Sequence, residues 1–205
     1  TAIRRQRQMC IRDRSYWLHV SSLINDFDLD YIDDYPMQEK VFNSLTNAPN
    51  HPPGSSILSL PIVTLFSFFD TGGVERINPT GSYAYAGYFA SNLVFILISF
   101  YLLRKIIQKK GLQNNSDLVL LISFVGTLVH YVTTRFMMAH AAEFLLCTIL
   151  IYIFETKKYP YDQTNIIYLF ISYFFLSITR PSTFIYSLCL LAVSYTHLRA
   201  HETSP

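Results

Sequence analysis

The chain has 205 residues, 51% of them hydrophobic, and its 16 Lys and Arg against 14 Asp and Glu leave a net charge of +2. That balance is too close to neutral for an electrostatic nucleic-acid binder. An odd count of three cysteines (Cys10, Cys147 and Cys189), without CxxC or metal-ligand spacing, argues against a disulfide framework or a zinc site.

Residues 1–14 are basic, and no apolar run follows to make a signal peptide. The string RQRQMCIRDRS looks like read-through from a sequencing library, so 1–14 is expected to be artefactual peptide. Residues 15–82 are expected to form one extracytoplasmic loop, polar and acidic up to Gly54. Between Ser15 and Gly54 it carries Asp26, Asp28, Asp30, Asp33, Asp34 and Glu39 against a single lysine, Lys40. Tyr16 to Ile24 predicts a short amphipathic helix. Pro49, Pro52, Pro53 and Gly54 then break the chain. Residues 55–69 (SSILSLPIVTLFSFF) are apolar, but at about 15 residues with Pro61 near the middle they suit an interfacial or re-entrant helix better than a bilayer span.

After Ser82 the apolar residues, rich in Phe and Tyr, gather into long blocks. Spans are expected at about 83–103, 118–134, 137–154 and 164–179, with a truncated fifth at 182–193. That last block has about 12 residues where roughly 20 are needed to cross. It runs into SYTHLRAHETSP, and 194–205 is expected to be artefactual peptide like 1–14. Arg104, Lys105, Lys109 and Lys110, with Lys157 and Lys158, orient those ends toward the cytoplasm. The links at 135–140 and 180–181, and the acidic 15–82 loop, then lie outside. The expected fold class is all-α: a polytopic transmembrane helical bundle with an acidic extracytoplasmic loop carrying short interfacial helices.

Four features carry candidate chemistry. In DFDLDYIDDY, Asp26, Asp28 and Asp30 alternate, so an extended backbone would put their carboxylates on one face. Paired carboxylates bind a divalent metal or act as general base, although an acidic run is also a common solvated loop. HPPG at 51–54 forces extended backbone before a helix that Ser55 or Ser56 would cap, with His51 at the membrane interface. Arg135, His140 and Glu143 form an ionisable group at a span start, where such residues are costly and serve either function or headgroup contact. Arg180-Pro181 breaks the fourth apolar block near the outer surface, as a cavity-lining break or an ordinary loop.

Taken in order, these features resemble the N-terminal half of the GT-C membrane glycosyltransferases. They are a short helix, an acidic stretch with tyrosine, HPPG with an apolar segment, a span ending in basic residues, and an Arg-containing link into MAHAAEF. FFLSITRPSTFIYSLCLL completes the series. The nearest group is protein mannosyltransferase-like and lipid A aminoarabinose-transferase-like, and the resemblance covers roughly Tyr16 to Leu191. It implies transfer of a hexosyl or pentosyl unit from a polyprenyl-phosphate donor to an extracytoplasmic acceptor (a glycan, lipid or protein) at a bacterial plasma membrane. Asp26, Asp28, Asp30 and Asp33 would supply the general base. His51, Arg135, His140, Glu143 and Arg180 would bind substrate, with Arg135 and Arg180 facing the departing phosphate. A divalent metal is left open, since the wider superfamily has members with and without one.

The chain also departs from that pattern. The family's usual catalytic Asp sits just before the residues matching Tyr16-Trp17, at the end of a first membrane helix. Here that place holds CIRDRS with Asp13; the family's first helix, later spans and C-terminal domain are expected to lie outside this stretch, so this polypeptide alone is expected to be inactive. The alternatives are a transporter or flippase-like protein, which predicts an internal repeat and deep charges, and a non-catalytic membrane scaffold.

Overall fold

The computed structural model describes residues 2–31, 49–74, 81–112, 116–156 and 163–202, with side chains described from Arg14 in the first helix and up to Val193 in the last. Among these residues the fold is all-α, with no strand. Its helices are α1 (Ala2–Asn25), α2 (Gly54–Ser67), α3 (Tyr83–Lys109), α4 (Ser116–Ser123), α5 (Val129–Thr133), α6 (His140–Thr156), α7 (Gln163–Thr179) and α8 (Pro181–Glu202). A π-helical turn, Phe124–Leu128, joins α4 to α5.

α3 is the best-defined element. Ser82, extended at φ −79° and ψ 151°, accepts from the Tyr85 amide, and the Asp70 carboxylate accepts from the Tyr83 and Ala84 amides at 2.7 and 2.8 Å. The first-turn donors that a helix leaves orphaned are thereby satisfied. Gly111, at φ +79°, supplies the left-handed turn beyond the C-terminus. With 27 residues, α3 is the one helix among the described residues long and apolar enough to cross a membrane. α6 and α7 have 17 residues each, at the short end of what spans a bilayer.

Contacts at the helix ends fix their directions. Tyr88 near the start of α3 donates to the Met137 carbonyl just before α6, at 3.4 Å. At the other end Lys109 Nζ donates to the Glu155 and Thr156 carbonyls closing α6, at 2.9 and 2.8 Å, and Lys110 pairs with Glu155. α3 and α6 therefore run the same way. The segment α4–α5 returns between their ends, starting where Asp117 pairs with Arg104 at 3.1 Å. α7 also returns, bringing Arg180 to the start of α6.

The interior is rich in hydroxyls. Ser55, Ser56, Ser59, Ser91, Asn92, Ser99, Thr148, Ser172 and Thr179 are buried, while Leu118, Ile122, Ile166, Phe170 and Ile185 face outward. Several inner hydroxyls bond back along their own helix: Ser91 to Gly87, Ser99 to Phe95, Thr148 to Phe144. Small residues let backbones approach closely. A Cβ on Gly87 would lie 2.8 Å from Phe66 Cβ and 3.1 Å from Val63 Cα, and one on Gly54 would lie 2.6 Å from the Ile178 carbonyl carbon and the Thr179 nitrogen. Apolar packing fills the rest: Trp17, Val63, Ala84, Tyr88 and Met137 join α1, α2 and α3, and Leu146, Leu150, Leu169 and Leu176 join α6 to α7.

Several expectations change here. The helix predicted from Tyr16 to Ile24 is the second half of a 24-residue helix that runs through the peptide set apart at 2–14. Both its polar and its apolar faces are enclosed: every residue from Ser15 to Ser22 is buried, because α2, α3 and the segments around Tyr31, His51 and Val74 surround it. The block at 118–134 is interrupted by the π turn and ends at Thr133. Met137 and Met138 precede α6, with Met137 packed on Trp17 and Tyr88. α8 does not stop at Val193, since Leu, Arg, Ala and Glu in the tail are good helix formers.

Candidate anion site at the end of the bundle

The N-termini of α2, α6 and α8 converge. A half-open cavity of about 220 Å³ lies among them, lined by Tyr16, His51, Pro52, Met138, Ala139, His140, Thr179, Arg180 and Pro181. Each helix start follows from local sequence. Pro52 and Pro53 hold the chain out of helix until Gly54, and Pro53, not Ser55 or Ser56, occupies the N-cap position without a side-chain cap. Ser56 is instead buried in α2 and donates to the Tyr16 carbonyl at 2.7 Å. Pro181, lacking an N–H, suits the first position of α8 and ends α7 at Thr179. Neither α2 nor α8 has an acidic residue in its first turn to neutralise the positive end of its dipole.

Arg180 sits between α7 and α8, its amide closing on Leu176 and its carbonyl accepting from Phe184. Its Nη1 donates to Glu143 Oε2 at 2.8 Å and to His140 Nδ1 at 3.0 Å. Since a guanidinium only donates, His140 Nδ1 is the acceptor and a neutral ring carries its proton on Nε2. Thr183 donates to the other Glu143 oxygen, and the Tyr131 ring packs 4.4 Å from that of His140. Arg180 is thus oriented through one nitrogen, with Nε and Nη2 unpaired among the described residues. That leaves a fork of N–H donors suited to a bidentate anion.

The opposite wall rests on α1. The rings of Tyr16 and His51 stack at 5.0 Å with 8° between planes. Behind them His19, fully enclosed, lies 2.6 Å (Nδ1) from the Tyr31 hydroxyl and 2.8 Å (Nε2) from the His51 carbonyl. A carbonyl only accepts, so Nε2 carries the proton and Tyr31 donates to Nδ1. Burial pushes the His19 pKa below its ordinary value, opposed by the hydrogen bond to the His51 carbonyl.

His51, His140 and Arg180, far apart in sequence, therefore meet at one cavity, with Glu143 behind Arg180. Arg135 is not among the lining residues: it lies in the link before α6, half-buried, with no ion pair among the described residues. Asp26, Asp28 and Asp30 are exposed beyond α1. They do not form the extended row their spacing suggested. Phe27 takes φ +60°, and Asp28 folds back to accept from the Ser22 hydroxyl and the Asp30 amide, each at 3.2 Å. Asp33 lies outside the described residues. Among the described residues no three His, Cys, Asp or Glu side chains converge as a metal site.

Tyr16, His19, Tyr31 and Thr183 belong to this arrangement but were not singled out from sequence. The only available sign was Tyr16 and His19 three positions apart on one helix face. A second groove of about 420 Å³ between α3 and α4 is lined by apolar residues such as Leu93, Leu97, Phe100 and Phe124, with Asp117 as its one polar residue. No protein-family model, curated protein or solved structure matches the chain.

Proposed function

We propose that this chain serves an integral membrane glycosyltransferase of the GT-C type, in which the cavity takes the phosphate of a polyprenyl-phosphate sugar at the outer face of a bacterial plasma membrane. The observation that carries the reading is Arg180 with free N–H donors beside His140 and His51, where the N-termini of α2 and α8, neither with an acidic first-turn residue, meet that of α6. A multi-pass arrangement is supported by the hydroxyl-lined interior, the apolar exterior, and the cluster of Arg104, Lys105, Lys109 and Lys110 at the far end.

In the proposed reaction an acceptor hydroxyl attacks the anomeric carbon. A new C–O bond forms as the bond to the phosphate oxygen breaks, and the electron pair leaves with the phosphate. Arg180 stabilises that growing charge, as positioned cations do. The acceptor's proton passes to a carboxylate of the acidic segment, which the topology holds at the same end of the bundle through Tyr31, His19 and His51.

The test is binding of a prenyl phosphodiester to the full chain in detergent, measured calorimetrically. Arg180→Gln should weaken it at least about tenfold, since charged hydrogen bonds contribute about 1.5–3 kcal/mol. Equal affinity would refute the anion site. Labelling of single cysteines placed at His51 and Lys109 by an impermeant reagent, each in a chain lacking native cysteines, should react from opposite sides of the membrane. Labelling from one side would refute the topology.

A further inference from the structure

The acidic turn and the anion cavity are joined through one buried side chain. His19 bridges Tyr31, which follows Asp30, and His51, whose ring lines the cavity. Two different partners fix its tautomer, so a single imidazole spans two segments: the turn after α1 and the HPPG link before α2. The Ser56 hydroxyl on the Tyr16 carbonyl and the Tyr16–His51 stack complete the same wall. Burial makes the arrangement exacting, because a donor or acceptor left unpaired there has no water to turn to.

We propose that His19 is a positioning residue, holding the acidic 26–31 turn against the His51 wall so that the cavity and the carboxylates keep one relative placement. This rests on the cavity being an anion site, and it assigns His19 no contact with the ligand. Its chemistry asks for one donor and one acceptor on opposite edges of a short side chain. Gln supplies both and Ala neither.

Two measurements on the full chain test it. In hydrogen exchange without any ligand, His19→Ala should speed exchange in 26–31 and at the Asn50 and His51 amides (50–51) together, while His19→Gln restores protection in both. Unchanged exchange in either segment, or equal loss in the Gln and Ala variants, would overturn the proposal. In binding of methyl farnesyl phosphate, a diester whose charge is constant near neutral pH, His19→Ala should weaken affinity about tenfold, the scale of a lost buried hydrogen bond, and His19→Gln should stay within about twofold of the parent. Ala binding as tightly as the parent would also overturn it. Arg180→Gln separates the two ideas: if that variant binds the diester normally the anion site is wrong, whereas the exchange result judges His19 by itself.

Discussion

Arg180 Nη1 lies 2.8 Å from Glu143 Oε2, joining the break between α7 and α8 to the first turn of α6. Glu143 is the more enclosed partner, its side chain 17% exposed against 44% for Arg180. Glu143→Ala should therefore destabilise the fold by about 1–2 kcal/mol, less than a fully buried pair because Arg180 can reach solvent. It should also free Arg180 to move, so that prenyl phosphodiester binding weakens. A thermal melt in detergent checks the first expectation and calorimetry the second.

The two outward arginines should separate. Arg180→Gln loses phosphodiester affinity, while Arg135→Gln, away from the cavity lining, should stay within about twofold, the range of a surface substitution. Equal losses in the two variants would show that Arg135 reaches the ligand.

Gly54→Ala should cost about 1–3 kcal/mol or more, the range for overpacking, because the added carbon meets the Thr179 hydroxyl and, behind it, the backbone of Ile178 and Thr179, which cannot move aside. Gly126→Ala is the matched control. Nothing stands within 4 Å of its Cβ position, so it should be neutral or stabilising. Melting both variants under one condition gives the comparison.

His19 gives a pH dependence with a definite sign. Its folded pKa lies below the ordinary 6.5, so below pH 6.5 the unfolded chain binds more protons than the folded one. The stability contributed by the neutral ring is complete above that value and declines as pH falls through it, by up to about 1.4 kcal/mol per pH unit until the folded ring also titrates. Denaturation midpoints between pH 5 and 7.5 should show that slope in the parent and lose it in His19→Gln.

Asp70→Ala removes the carboxylate that accepts from the Tyr83 and Ala84 amides. A loss of about 1 kcal/mol is expected from the missing cap, with Ser82 still holding the Tyr85 amide. Hydrogen exchange confined to the first turn of α3 would locate the effect.

Much of the helix pattern was legible because apolar runs and Pro or Gly punctuation are local. The Arg180-Pro181 break follows from a residue that cannot donate. The meeting of His51, His140 and Arg180 was not legible, since it depends on α2, α6 and α8 starting at one place. The enclosure of Ser15–Ser22 was equally hidden: its polar residues read as a solvent face, and only the segments wrapping it make them interior. The alternation of Asp26, Asp28 and Asp30 misled because Asp28 finds Ser22 before any strand partner.

Lys109 and Tyr88 fasten α6 to α3 near both of its ends. Two parallel rods pinned twice cannot shear or splay without breaking a clasp, so they act as the frame of the molecule. Any change in cavity width then falls to the opposite jaw, where α1 and the His51 link face the α7–α8 elbow, and where the closest seam is a glycine laid against backbone.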